Sequence, residues 1–206
     1  LFEVELSQLG SCTVMDFSID MLIVDWTSVW LMLSRFEEYY FGDNTAKHEL
    51  TITFRDYMEA CKNISDTQMY KKAEKYWKER IEDLPPAPEL PVVGKGGAEF
   101  KRFELRLPKN DWLFFKAQAL KTGVTPVAAL VTAYGSVLER FSTNKRFILN
   151  LTTLNRMPID PQVKDLIGDF TSLSLITVDN RGDKTFSQRA TDINKTLFEV
   201  LDNHLY

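Results

Sequence analysis

The sequence predicts an α/β fold of two lobes, in which helices cover mixed sheets. Several short runs alternate apolar and polar residues, which is typical of strands, and longer runs repeat apolar residues every three or four positions, which is typical of helices. Between these runs, residues 84–98 are rich in proline and glycine, which break both kinds of element. We therefore predict the end of a first lobe (1–83), a linker (84–98) and most of a second lobe (99–206).

The first lobe opens with a predicted hairpin and continues in helices. Alternating residues predict strands over 1–8 and 11–19, joined through Leu9-Gly10. Helical spacing predicts three helices after this hairpin, over residues 28–41, 54–62 and 65–82. Gly42 follows the first helix and is a common helix stop. The third helix has a lysine-rich face, which is typical of a solvated surface and leaves a docking surface for an acidic partner open.

The second lobe mixes strands and helices. Alternation predicts three strands, over residues 100–107, 147–154 and 173–178. Helical spacing predicts three helices, over residues 109–122, 127–141 and 186–205. Thr125 and Pro126 supply a cap and a first-turn proline, which together indicate a helix start.

Composition and charge exclude several classes of protein. The formal net charge of -4 and the pI near 5.3 argue against a nucleic-acid surface. Cys12 and Cys61 are too few for a disulfide framework or a metal cluster, so we predict no metal site and a reducing, cytoplasmic setting. No apolar run reaches the length that spans a membrane. The two histidines, His48 and His204, lie in no motif-like setting for a general base.

Two aspartates stand where a predicted strand gives way to a predicted helix. Asp20 and Asp25 bracket four apolar residues, and Ser28 follows at once. The simplest interpretation of Asp25 or Ser28 is that it caps the following helix and has no other role. Asp20 lies among apolar neighbours, so its carboxylate should need a partner.

Further polar residues end the later strands. Asn155 and Arg156 follow one of them, and Asp169 and Thr171 precede the next. Arg156 is the natural partner of a partly buried aspartate, because its guanidinium pairs carboxylates bidentately. We expect Arg156 to pair with Asp25 across the two lobes.

Four motifs in order resemble a known family. Asp20-x4-Asp25-x2-Ser28 resembles the signature of the heterocyclization domains of nonribosomal peptide synthetases, in the condensation-domain superfamily. Met21 stands where the related condensation domains carry their usually active histidine. Three further segments are similar to family motifs: the Leu-Pro-Pro-Ala-Pro-Glu-Leu-Pro run at 84–91, the Thr-Pro helix at 125–138 and Gly-Asp-Phe-Thr-x-Leu-x-Leu at 168–175. Phe141 stands where a tryptophan is usual.

The resemblance implies a chloramphenicol-acetyltransferase-like fold and a defined reaction. Such a domain joins a carrier-bound acyl or aminoacyl thioester to a carrier-bound cysteine, serine or threonine, then cyclises and dehydrates the product to a thiazoline or oxazoline. The resemblance also implies that the catalytic candidates are Asn155, Asp169 and Thr171, and that Asn155 takes part in cyclisation. The structural motif at the cleft then comprises Asp20, Asp25, Ser28 and Arg156.

The resemblance also implies partners. The domain would bind no cofactor directly, since its substrates ride on the phosphopantetheine of carrier domains. Its partners would be peptidyl or aryl carrier protein domains and a neighbouring adenylation domain, with no nucleic acid and no membrane. Two alternatives stay open: an ordinary condensation-type acyltransferase, and a non-catalytic carrier-recruiting domain of the same fold. Family motifs before Leu1 and after Tyr206 are missing, so we expect an internal piece that is inactive alone.

Overall fold

The computed structural model describes residues 1–42, 49–91, 94 and 101–206. The strands and helices follow the predicted order, except that the strand predicted over 100–107 does not form in the described residues 101–107. They are β1 (Phe2–Leu9), β2 (Cys12–Ile19), α1 (Trp26–Tyr40), α2 (Phe54–Lys62), α3 (Gln68–Lys78), α4 (Lys109–Lys121), α5 (Pro126–Phe141), β3 (Arg146–Leu154), β4 (Thr171–Asp179) and α6 (Phe186–Asp202). His48, Phe100 and residues 92–93 and 95–98 of the predicted linker lie outside the described residues.

The chain divides into two compact units, each built from two stretches of sequence. Unit 1 comprises Leu1–Thr67 with Thr152–Leu173, and unit 2 comprises Gln68–Leu151 with Ser174–Tyr206. The two units are interleaved along the sequence, whereas the predicted lobes are consecutive. The lobe boundaries of the parent fold therefore stay a prediction.

Unit 1 combines the β1–β2 hairpin with α1 and α2. The hairpin is antiparallel, and Gly10 takes a φ of +59° in its turn, a conformation that glycine adopts without steric cost. In α2, Thr53 and Asp56 form a reciprocal capping box. A small buried cluster lies beside α2 and consists of Tyr57, Val163, Leu166 and Phe170.

Unit 2 holds the larger core. Thr125 caps α5 and Pro126 occupies its first turn, as predicted. Most of the buried residues come from α4, α5, β3, β4 and α6, and the largest fully buried side chains among them are Phe147, Ile176 and Val178. Gly135 lets β4 approach α5 closely, since an added Cβ would lie 3.0 Å from Cγ1 of Val178.

The proline-rich run at 84–91 forms neither helix nor strand, as predicted, and is tied to unit 2 by its backbone. The Ile148 N–H donates to the Pro86 carbonyl over 2.9 Å, and the Asn144 amide donates to the Ala87 carbonyl over 3.1 Å. Proline cannot donate, but its carbonyl still accepts, and the N–H of Glu89 in the same run donates to Ser142 Oγ over 3.0 Å.

β3 and β4 form the second two-stranded sheet. The Asn155 N–H donates to the Phe170 carbonyl at one end, and the Asn180 N–H donates to the Lys145 carbonyl at the other, each over 2.9 Å. Partner numbers rise on one strand as they fall on the other, so the pair is antiparallel.

Three element predictions were wrong. Residues 101–107 form no strand, and Phe103 is 92% exposed, because a strand needs a neighbour for its backbone groups and no described strand pairs there. The helix predicted over 65–82 is shorter, since Thr67 has an extended ψ of 152° that stops the preceding 3₁₀ turn before α3 begins. The last helix ends at Asp202 rather than at 205.

Neither a membrane-spanning helix nor a metal-binding cluster is found among the residues that the structure describes. No helix is long and apolar enough to cross a membrane. No group of three or more His, Cys, Asp or Glu side chains could hold a metal ion. Cys12 and Cys61 are both free thiols.

Candidate functional site

Asp25 begins α1 and lies fully buried in unit 1, with 0% of its surface exposed. Its Oδ1 accepts the Ser28 N–H over 2.6 Å, which makes it the N-cap of the helix. Its own N–H donates to the Gly168 carbonyl over 3.0 Å. The cap interpretation of Asp25 is therefore correct, and the residue also joins α1 to the segment before β4.

Arg156 supplies the partner charge, as the sequence predicts. Its Nη2 lies 3.1 Å from Oδ1 and 3.3 Å from Oδ2 of Asp25, and it donates to Ser28 Oγ over 2.8 Å. Both residues belong to unit 1, so the pair joins distant parts of the sequence within one compact body.

Further contacts hold the guanidinium in place. Nη1 of Arg156 donates to the carbonyls of Val163, over 3.2 Å, and Leu166, over 2.7 Å. The guanidinium carbon lies 3.9 Å from the centre of the Phe170 ring, at the distance of a cation–π contact. These contacts fix Arg156 between an anion, two carbonyls and an aromatic face.

Ser28 uses the whole hydrogen-bonding capacity of its hydroxyl. Oγ donates to the Gly168 carbonyl over 2.8 Å and accepts from the Gly168 N–H over 3.1 Å and from Arg156. A hydroxyl has one proton and two lone pairs, so none remains for a substrate. Gly168 itself is required by space, because a Cβ there would lie 2.3 Å from Cδ2 of Phe54.

Burial alone raises the pKa of the Asp25 carboxyl, but hydrogen bonds from Ser28 and the charge of Arg156 outweigh it. The net effect lowers the pKa below the usual 3.8. Oδ2 also accepts the Phe170 N–H over 3.3 Å, so both carboxylate oxygens are occupied. Asp25 is therefore an ionised brace that cannot take a proton from a substrate near neutral pH.

Asp20 takes no part in this network. It is exposed, and its Oδ1 accepts the local Leu22 N–H over 2.9 Å and no other donor from the part of the chain that the structure describes. The prediction that the Asp20 carboxylate is buried and needs a partner is therefore wrong. The reason is local, because residues 21–23 form a turn in which Met21 is 51% exposed and Leu22 is also exposed, so these apolar neighbours do not bury the carboxylate.

The three catalytic candidates lie near one end of the β3–β4 pair. Asn155 is half-buried and its backbone pairs with Phe170, the residue between Asp169 and Thr171. Phe170, directly before β4, is buried, whereas its two neighbours are exposed. Oδ1 of Asp169 accepts the Thr171 N–H over 2.9 Å, and no partner is found for the Asn155 side-chain amide in the described part of the chain.

Tyr57 is a site residue that the sequence reasoning missed. Its hydroxyl donates to the Asn155 carbonyl over 2.8 Å and accepts the Met157 N–H over 3.3 Å. Burial raises the pKa of Tyr57 to about 12. The signal was present in the sequence, since Tyr57 shares the apolar face of α2 with Phe54 and Cys61 at helical spacing.

Comparison with known proteins agrees with the motifs. The sequence profile of the family described as Condensation domain matches residues 14–206. Pyochelin synthetase PchF of Pseudomonas aeruginosa is 32% identical over 202 residues, covering 97% of this chain and 11% of PchF. Phenyloxazoline synthase MbtB of Mycobacterium tuberculosis is 32% identical over 214 residues, covering 100% of this chain and 15% of MbtB. The chain thus spans a small part of either relative.

A solved structure agrees as well. The cyclization–docking bidomain of the nonribosomal peptide synthetase EpoB from Sorangium cellulosum matches with a TM-score of 0.89 and 33% identity, covering 98% of this chain and 42% of that one. This likeness confirms the predicted fold class, the α/β fold of the chloramphenicol-acetyltransferase type. The chain belongs to the condensation-domain family, and within it the chain is similar to the heterocyclization domains of nonribosomal peptide synthetases, as its motifs predict.

Proposed function

We propose that this chain is part of a heterocyclization domain that makes a thiazoline or oxazoline. In the first step the amine of a carrier-bound cysteine, serine or threonine attacks a carrier-bound thioester, forming an amide and releasing the donor carrier's thiol. The acceptor's thiol or hydroxyl then adds to the amide carbonyl carbon, which closes the ring and leaves a hydroxyl on that carbon. Loss of this hydroxyl with the nitrogen's proton, as one water, forms the C=N bond. The names of MbtB, a phenyloxazoline synthase, and of the EpoB cyclization bidomain support this reaction.

The observation that carries the proposal concerns Asp25, the aspartate of the family signature: both of its carboxylate oxygens already accept hydrogen bonds from the protein. Asp25 is buried and fully hydrogen-bonded, and Met21 replaces the expected histidine, so the signature supplies no general base. Attack of an amine on a thioester depends on positioning and charge stabilisation more than on a strong base. The arrangement therefore favours a domain whose chemistry lies elsewhere.

Asn155 is the first candidate for that chemistry. A side-chain amide both donates and accepts, so it can donate to the oxygen of the amide carbonyl and accept from the attacking thiol or hydroxyl. Asp169 and Thr171 would act beside it, since both are exposed at the start of β4. In this proposal Asp25, Ser28 and Arg156 brace unit 1 and do not react, and Asp20 stays a predicted member of the same structural motif.

The partners follow from the same proposal. Substrates would arrive on the phosphopantetheine of peptidyl or aryl carrier domains, next to an adenylation domain, and the domain itself would hold no cofactor. The two free thiols fit the reducing cytoplasm as the compartment of the synthetase.

The test uses the synthetase that contains this chain, loaded with a donor thioester and with cysteine, serine or threonine on the acceptor carrier. Products released from the carrier are separated by mass spectrometry into linear amide and heterocycle, which differ by one water. Asn155→Ala should leave amide formation and lower the heterocycle by about 100-fold, the scale of lost positioning or acid–base help. Asn150→Ala is the control, because Asn150 is an exposed asparagine on β3, the strand that ends at the residue before Asn155.

Each alternative predicts a different result. A wild-type synthetase that releases only linear amide would be an ordinary condensation enzyme. Carrier binding without any product would indicate a recruiting domain. Unchanged ring formation in Asn155→Ala would remove Asn155 from the mechanism while leaving the reaction in place.

A further inference from the structure

Tyr57 places one hydroxyl against the two peptide groups that flank Arg156. The phenol proton goes to the Asn155 carbonyl, over 2.8 Å, and a lone pair takes the Met157 N–H, over 3.3 Å. The peptide segment 155–157 is therefore held at both ends by one oxygen atom. This segment carries both the Asp25 partner and the first catalytic candidate.

The backbone of Asn155 is fixed from two sides. Its carbonyl accepts from Tyr57, and its N–H donates to the Phe170 carbonyl over 2.9 Å. The direction in which a side chain leaves the backbone depends on the peptide groups before and after it. Losing the tyrosine hydroxyl would free the carbonyl side of Asn155 and leave the β-sheet side unchanged.

The ring of Tyr57 is held independently of its hydroxyl. It is 4% exposed and packs against Phe170, with ring centres 4.9 Å apart, and against Phe54, with centres 6.1 Å apart. Phenylalanine would keep these apolar contacts, so Tyr57→Phe removes the hydroxyl with little change in packing. Because burial raises the pKa of Tyr57 to about 12, the hydroxyl stays a proton donor throughout the usual assay range.

Tyr76 is a tyrosine outside this arrangement and can serve as a control. Tyr76 is half-buried on α3 in unit 2, with the Arg80 guanidinium carbon 3.8 Å from its ring centre. Its pKa is also raised by burial. Tyr76→Phe is therefore a matched control for loss of a half-buried phenol.

We propose that Tyr57 is a positioning residue for ring closure, acting through Asn155. It holds the Asn155 carbonyl so that the asparagine side chain meets the amide intermediate after condensation. This inference rests on the proposed function. A purely structural tyrosine would support both steps equally, whereas a positioning residue for Asn155 affects the second step.

The experiment compares Tyr57→Phe, Asn155→Ala, the double variant and Tyr76→Phe in the synthetase that contains this chain. We expect Tyr57→Phe to raise the ratio of linear amide to heterocycle about tenfold, a part of the roughly 100-fold loss that a 1 Å misplacement causes. The rate of amide formation should stay near the wild-type value, which also shows that the variant folds. The double variant should cyclise no worse than Asn155→Ala, because two changes on one pathway are not additive.

Three results would overturn the inference. An unchanged ratio in Tyr57→Phe would show that the hydroxyl does not matter. An equal fall of amide and heterocycle would show a structural role alone. Additive losses in the double variant would show that Tyr57 acts independently of Asn155. If the wild-type synthetase forms amide but no heterocycle, the proposed function fails and takes this inference with it, so the two failures are distinguishable.

Discussion

Replacing Arg156 by methionine should be among the most damaging single changes in unit 1. Methionine keeps an unbranched apolar stem but removes the charge that faces Asp25, which is 0% exposed. A buried charge that loses its partner costs about 3–5 kcal/mol, because the remaining ion has neither water nor a counter-charge. The carbonyls of Val163 and Leu166 also lose a donor, which places the expected cost in the upper part of that range.

The measurement should report on unit 1 by itself, since a chain of two compact units need not unfold in one step. Amide hydrogen exchange supplies such a local readout. The N–H groups of Ser28 and Phe170 donate to the Asp25 carboxylate, and that of Gly168 donates to Ser28. The free energy of opening at these three amides should fall by about 3–5 kcal/mol, or to zero if the unit is less stable than that.

Two further variants test the reasoning. Arg55→Met removes an exposed ion pair with Glu59, whose arginine is 85% exposed, and should cost less than about 1 kcal/mol. Adding Asp25→Asn to Arg156→Met should cost less than the sum of the single changes, with a coupling of about 0.5–3 kcal/mol. If Arg156→Met costs no more than Arg55→Met, or if the two site changes are additive, the buried ion pair does not hold the site together.

Two other predictions concern the same unit. The pKa of Asp25 is lower in the folded state than in the unfolded state, so its stabilisation is complete above the unfolded value of 3.8 and is lost as the pH falls through the folded value. The opening free energy should fall between about pH 5 and pH 2 more steeply in wild type than in Asp25→Asn, and equal slopes would refute this. Gly168→Ala should destabilise unit 1 by about 1–3 kcal/mol because its Cβ meets the Phe54 ring, and Phe54→Leu should recover part of that loss. Chemical denaturation measures this change, and a neutral Gly168→Ala would contradict the close approach.

Local signals predicted the element boundaries best. Gly10 and Gly42 both have positive φ where the sequence predicts a turn and a helix stop, and Thr125 caps α5 as predicted. Such signals depend on the geometry of a few neighbouring residues, so they can be read from the sequence. The strand predicted over 100–107 failed for the opposite reason, since its formation depends on a distant partner strand.

The candidate site was predictable in part. The pairing of Asp25 with Arg156 could be predicted, because a buried carboxylate is costly unless a cation lies beside it. The burial of Tyr57 follows from the apolar face of α2, but the partner of its hydroxyl was not predictable from the sequence, and neither was the role of Gly168. Both depend on how segments that are distant in sequence fold against α1 and α2. The prediction for Asp20 failed because its apolar neighbours in the sequence lie in an exposed turn and do not bury its carboxylate.

Asp25, the aspartate of the family signature, is not placed to transfer a proton to or from a substrate. A group takes part in proton transfer only if it reaches the substrate and has a free lone pair or proton. Asp25 meets neither condition, since it is buried and both its oxygens accept protein donors. One of those donors is the N–H of Phe170, whose buried ring turns its neighbours Asp169 and Thr171 outward. Asp25 therefore holds the backbone between Asp169 and Thr171, the two exposed residues that we propose as catalytic candidates.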